Sequence, residues 1–408
     1  MKHAGEIKKL FDAFIQEVTS PEQTADASQA SRPRLLDGRL VIRGSLVLEG
    51  QLAAEYTRLV EEAHRLAGID GTWSKSAIDD LLAKCMIEVL NSPGDVRAET
   101  VRTQGGQRLL EALRSPLADW VVDFQVAGCK HDMDGAKFGE IEFVVDQVKS
   151  SPLLTAVRGG PDEFVTVALA RTSVTAIDRD SAELAAGRKI DEHLAVINAL
   201  CSDWTPSRIH LYRGEDKPAQ SLRLRRIRKS GESEFLHGSH SKLTGTLLSR
   251  AEFDNFLRIR GGGRIGDWMT SRTEFGERLV AAYVTAGSAA VEEKPFLAFL
   301  LHMVALESAV LGDHNKTEIG FQLRARVAHL LGGTLTAREN FAAIMKRLYG
   351  IRSSIAHSGS REIATKDLEE MRVVCLTSLH ALTVLPDFAD AKTEEDLESW
   401  FQRKLLGG

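Results

Sequence analysis

Cysteine is scarce in this chain. The four residues Cys85, Cys129, Cys201 and Cys375 are scattered over 408 positions and never fall at CxxC spacing. That pattern speaks against a zinc site and against a disulfide framework, and it predicts reduced thiols in a cytoplasmic protein. Long apolar runs are missing too. No stretch is long enough to span a bilayer, and the first residues lack the apolar core of a signal peptide. The expected location is therefore cytoplasmic, with no membrane partner. An excess of positive charge is also absent. The formal net charge is −5, so any contact with nucleic acid has to come from local patches rather than from the chain as a whole. There is no internal repeat.

Two stretches that look like ligand loops lack the parts such loops need. Cys129-Lys130-His131-Asp132-Met133-Asp134-Gly135 has acids in sequence but no downstream glutamate of a calcium loop. It reads as a hairpin loop with an Asp-Gly turn. Gly261-Gly262-Gly263-Arg264 lacks the Lys-Ser/Thr ending and the following helix of a P-loop, and reads as a flexible turn. No cofactor and no metal are expected.

What is present is enough apolar material, 43% of residues, for two or three domains with real cores. The pattern predicts helices at 4–19, 51–67, 76–91, 104–114 and 180–201. A polar stretch follows the first of these to about Arg32. Strands are predicted at 40–48, entered through an Asp37-Gly38 turn, and at 120–127, 138–145, 164–170, 209–213 and 222–229. Beyond these the pattern is nearly all helical. The expected architecture is an α+β N-terminal region over 1–245, then a helical connector over 246–285. A helical bundle over 286–390 and a C-terminal helix or tail over 391–408 complete it.

One motif in the bundle carries chemistry. Arg-x4-His occurs three times, at Arg188/His193, Arg324/His329 and Arg352/His357, so context must choose among the copies. Arg188 and His193 sit in a charged run that reads as a solvated helix face. His329 lies in an apolar helix and reads as a packed histidine. Arg352 falls near the middle of an apolar stripe formed by Phe341, Ile344, Met345, Leu348, Ile351 and Ile355. A charge placed there needs a partner or a task. His357 sits in the last helical turn, before Ser358-Gly359, where the negative end of the helix favours a cation and suits a general acid. Arginine can hold a phosphate and histidine can move a proton near neutral pH. Positions five apart on a straight helix point about 140° from each other. Either the helix frays before His357, or the two groups meet others across an interface between two copies. The plainer reading is an arginine paired with a carboxylate and a histidine that ends a helix.

These residues carry a resemblance. The blocks Phe299-Leu300-Leu301-His302-Met303-Val304-Ala305-Leu306-Glu307-Ser308, Phe321-Gln322-Leu323-Arg324-Ala325-Arg326-Val327-Ala328-His329-Leu330-Leu331-Gly332 and Tyr349-Gly350-Ile351-Arg352-Ser353-Ser354-Ile355-Ala356-His357-Ser358-Gly359 follow one another with short connections. In that order they resemble the Apea-like branch of the HEPN superfamily, over the last quarter to third of the chain. The resemblance implies an up-and-down bundle of four or more helices that pairs as a homodimer. It also implies a metal-independent endoribonuclease of phage defence, toxin-like or RNA-processing systems, with tRNA or mRNA as substrate and a phage component or nucleotide as trigger. By position, Arg352 would hold the scissile phosphate, His357 would act as general acid or base, and Glu307 would orient the arginine. Ser353 takes the polar second place of the motif, where Asn is commonest in the wider superfamily. Lys346 and Arg347 would steer the RNA. Arg223 and Arg225, in the basic run up to Lys229, would add a second patch if they do not merely line an exposed edge strand. Superfamily members without catalysis serve as dimerisation or scaffolding modules, and a nucleotide-binding cleft is a third alternative.

Overall fold

A computed structural model describes residues 4–18, 39–42, 46–68, 75–90, 99–114, 117–149, 164–176, 179–202, 211–213, 225–229, 234–236, 247–271, 273–311, 318–358 and 362–407. The expected polar stretch to Arg32 and the Asp37-Gly38 turn lie outside these residues. The N-terminal half combines helices with antiparallel strands, and the C-terminal half is helical. The chain divides into two compact units. One comprises Met1–Val122, Ser173–Ala186 and Ile227–Glu234, the other Asp123–Thr172, Gly187–Arg226 and Phe235–Gly408.

In the first unit, helices α1 (Ala4–Val18), α2 (Gly50–Gly68), α3 (Lys75–Leu90) and α4 (Glu99–Leu113) share one core. Ile7, Phe11, Phe14 and Ile15 recur at helical spacing on α1 and are all buried, so one face of the helix drives the packing. The Tyr56 hydroxyl donates to Asp79 Oδ1 at 2.8 Å, tying α2 to α3. The run expected as one strand over 40–48 is instead a hairpin. Strand β1 (Arg39–Ile42) pairs antiparallel with β2 (Leu46–Glu49), in register from Arg39↔Glu49 to Ile42↔Leu46.

Seven further strands form one sheet: β3 (Ala118–Ala127), β4 (Lys137–Phe138), β5 (Ile141–Lys149), β6 (Phe164–Ala176), β7 (Tyr212–Arg213), β8 (Arg225–Lys229) and β9 (Glu234–Leu236). They follow the order β4-β5-β6-β3-β8-β9, with β7 paired to β3. The β5–β6 register runs from Glu142↔Arg171 to Lys149↔Phe164. Asp123 on β3 is fully buried, and its carboxylate takes both Arg171 Nε (2.7 Å) and Nη2 (3.0 Å), which stitches β3 to β6. The strand expected over 138–145 is broken at Gly139, whose φ of 55° is open to glycine at little cost.

That turn docks against α5 (Arg179–Cys201) and corrects the reading of His193 as part of a solvated face. His193 is 2% exposed. Its Nε2 accepts from the Glu140 amide at 3.2 Å and its Nδ1 faces the Lys189 carbonyl at 2.6 Å, the pattern of a neutral imidazole protonated on Nδ1. The loop at 129–135, expected as a hairpin loop, instead crosses from β3 to β4, which have β5 and β6 between them in the sheet, and it holds a short 3₁₀ turn at His131–Met133. Its acids accept from backbone amides, Asp134 from Val145 (2.8 Å) and Asp132 from Arg250 (3.1 Å).

The C-terminal half runs through α6 (Arg250–Ile259), α7 (Gly262–Thr270), α8 (Glu274–Val291), α9 (Pro295–Val310), α10 (Ile319–Leu331), α11 (Leu335–Ser358), α12 (Thr365–Val384) and α13 (Glu394–Leu405). Helix α8 spans position 285 without a break. Two capping boxes set helix starts, Ser249 with Glu252 on α6 and Thr393 with Asp396 on α13. The Gly261-Gly262-Gly263-Arg264 stretch, expected as a flexible turn, begins α7. Gly261 stands outside it in the left-handed region at φ 68°, and a Cβ there would lie 2.7 Å from Thr383 Cγ2. Arg264 then donates to the carbonyls of Thr383 (2.9 Å) and Ala389 (2.8 Å) with its guanidinium over Trp268, so these glycines serve packing rather than a phosphate.

Helix α9 is apolar almost all round, and it packs against both α8 and α12. Helices α10 and α11 form a hairpin that packs onto α9 and α12. Arg326 on α10 is buried at 3% exposure. It donates to Glu398 of α13 at 2.7 and 2.9 Å and to the Val310 carbonyl at 3.0 Å, with its guanidinium 5.0 Å from the Phe401 ring. Truncating one partner of such a pair strands the other charge. Glu398→Ala is therefore expected to lower stability by about 2–3 kcal/mol, short of the full cost of a wholly buried pair because Glu398 is about a third exposed. Denaturant titration with an unchanged slope would report it, and a midpoint equal to the parent's would show the pair to be idle. Among the described residues, no helix is long and apolar enough to cross a membrane.

Candidate functional site

Helix α11 positions the motif. It is amphipathic, with Met345, Leu348 and Ile355 buried and Phe341, Ile344 and Ile351 half-buried. Arg352 lies beside this stripe, half-buried. The structure brings it to Glu307 on α9, with Nε 3.5 Å from Oε1, and lays its guanidinium 5.7 Å from the ring centre of Tyr349. Tyr349 precedes Arg352 by three residues and so shares its face of the helix. The sequence reading gave Tyr349 no role, although this spacing was there to be read.

Glu307 is the polar interruption near the end of an apolar helix and is 19% exposed. Burial pushes its carboxyl above the usual carboxylate range, and the Arg352 charge pulls it back. The separation of 3.5 Å is an ion-pair contact without a good hydrogen bond. The arginine lies against Glu307 and Tyr349 and still keeps about a third of its side chain exposed.

His357 lies in the last turn of α11, on the exposed side. The helix is continuous to Ser358, so fraying does not bring the histidine to the arginine. Five residues of intact helix separate the two groups by about 7.5 Å along the axis and about 140° around it. Within one chain the structure joins Arg352 to Glu307 and Tyr349 and leaves His357 apart. Ser353 is half-buried beside Arg352.

The basic residues divide. Lys346 is exposed. Arg347 forms ion pairs with Asp367 and Glu370 of α12, which use much of its charge. Arg223 lies outside the described residues. Arg225 is in β8, which stands between β3 and β9 and so is not the edge strand considered for this basic run. His329 is half-buried rather than packed away. Burial first, then Arg338 and Lys404, hold its imidazole below the usual histidine range. Among the described residues no group of three or more His, Cys, Asp or Glu side chains could hold a metal ion.

No protein-family model, curated protein or solved structure matches the chain.

Proposed function

We propose that this chain is a cytoplasmic, dimeric, metal-independent endoribonuclease of the HEPN type, acting in a phage-defence or toxin-like system. The observation that carries the reading is the half-buried Arg352, lying against Glu307 and Tyr349 with about a third of its side chain exposed, on an unbroken helix that ends in an exposed His357. In this reading two copies of α11 meet, and the arginine of one chain and the histidine of its partner close on one phosphate. The ribose 2′-hydroxyl attacks the adjacent phosphorus, the bond to the 5′-oxygen breaks, and a cyclic phosphate forms. Arg352 stabilises the charge that builds on the non-bridging oxygens. His357 protonates the departing oxygen or takes the proton of the attacking hydroxyl.

A second reading has an observation of its own. The Arg352–Glu307 pair could equally fix a scaffold, with no chemistry at His357. Purified protein incubated with total RNA and with tRNA in EDTA separates the two. The expected result is discrete fragments from the wild type and a loss of roughly a hundred- to ten-thousandfold in His357→Ala. Intact RNA from a folded wild-type dimer would favour the scaffold, and equal cutting by both proteins would remove His357 from the chemistry.

A further inference from the structure

The first turn of α10 presents an aromatic ring to solvent beside the arginine site. Phe321 is 59% exposed, on a helix whose opposite face is packed. Arg324, one turn later, places its guanidinium 5.7 Å from the Phe321 ring centre and donates from Nε to the Gly320 carbonyl at 3.1 Å, which holds it in place. Gly320 lies directly on Tyr349. A Cβ there would stand 2.8 Å from Tyr349 Cε1, so the bare backbone is what allows the approach. Tyr349 in turn carries Arg352 at 5.7 Å. Two ring–cation pairs, Phe321 with Arg324 and Tyr349 with Arg352, therefore stand on two helices that pack together where Gly320 meets Tyr349.

An exposed phenylalanine with a guanidinium laid over it suits a flat ligand on an anionic strand better than it suits an apolar protein surface. Paired bases hide their faces in the stack, and only unpaired bases can lie on a ring. We propose that Phe321, braced by Arg324, stacks an unpaired base of the strand whose phosphate Arg352 holds, so that the substrate is single-stranded or looped RNA. This rests on the endoribonuclease reading above. Phe321 is a binding residue here and takes no part in bond breaking.

The test uses the full-length protein with His357→Ala as a non-cutting parent. Fluorescence anisotropy at one fixed salt concentration compares a labelled uridine-rich single strand with a fully paired RNA duplex. The parent binds the single strand more tightly. Adding Phe321→Ala weakens that binding roughly tenfold and leaves the duplex unchanged, while Phe321→Trp keeps it. Equal affinity of Phe321→Ala and the parent, no single-strand binding by the parent, or equal binding of single strand and duplex would overturn the proposal. So would a fall in oligomeric state of Phe321→Ala on light scattering, which would make the ring a contact between copies of the chain. Cleavage by the wild type with Phe321-independent binding would sink this platform and leave the nuclease reading standing. Phe321-dependent binding without cleavage would do the reverse.

Discussion

Arg352→Ala is expected to cost at least roughly a hundredfold in RNA cleavage and to make stability more sensitive to pH. The second effect comes from Glu307. Burial alone would hold its carboxyl high, and Arg352 is the charge that opposes this. An acid whose folded pKa lies above its unfolded value binds more protons when folded. Stability from that group is greatest below the ordinary value of 4.5 and is lost as pH rises through the raised folded value. With the arginine gone, the window widens upward. The melting temperature of Arg352→Ala should match the wild type near about pH 4 and fall below it near about pH 7. Adding Glu307→Gln removes the ionisable group, so stability at neutral pH should return while cleavage does not. Arg352→Lys should restore much of the pH behaviour without the planar fork that grips a phosphate, and cleavage should stay low. Thermal melts at the two pH values beside one RNA assay separate the outcomes. An Arg352→Ala protein that cuts at the wild-type rate would leave the arginine a structural role only.

Gly287→Ala is the substitution expected to harm the fold most. A Cβ at position 287 on α8 would stand 1.7 Å from the carbonyl oxygen of Ala195 on α5 and 2.4 Å from its carbon. Those are backbone atoms, so no side-chain rotation relieves the clash, and the helices must separate. Overpacking of this kind costs about 3 kcal/mol or more, a large share of the roughly 5–15 kcal/mol that holds a domain together. Separation also moves α8, on which α9 and therefore Glu307 depend. Circular dichroism melts should show the loss, and unchanged melting would mean that the two helices part freely. The same change at Gly350, where a Cβ meets nothing within 4 Å, is the matched control.

The helices were legible because their periodicity is local. The apolar run of α9 and the stripe of α11 could be read from spacing, as could a carboxylate partner for an arginine set in that stripe. Long-range features were not legible in the same way. The charged neighbours of His193 suggest solvent, and only the turn at Gly139, more than fifty positions earlier, buries its ring. The glycines before Arg264 look like slack until Thr383 and Ala389 are seen to accept from its guanidinium. Arg347 looked suited to RNA because its partners Asp367 and Glu370 lie across a helix–helix packing that no single segment encodes. Phe321 escaped for a related reason, since it comes close to Tyr349 only where Gly320 of α10 packs on that ring of α11.

The last helix sets an order of events during synthesis. Arg278 on α8, with a side chain 8% exposed, pairs with Glu394 at 3.0 Å, and buried Arg326 pairs with Glu398. Both carboxylates come from α13. While the chain emerges N-terminal residues first, these two guanidinium groups have no counter-charge from that helix, and the surface that Phe401 covers stays open. The bundle that carries Glu307 and Arg352 therefore completes its charge pairing only once residues 394–401 have left the ribosome.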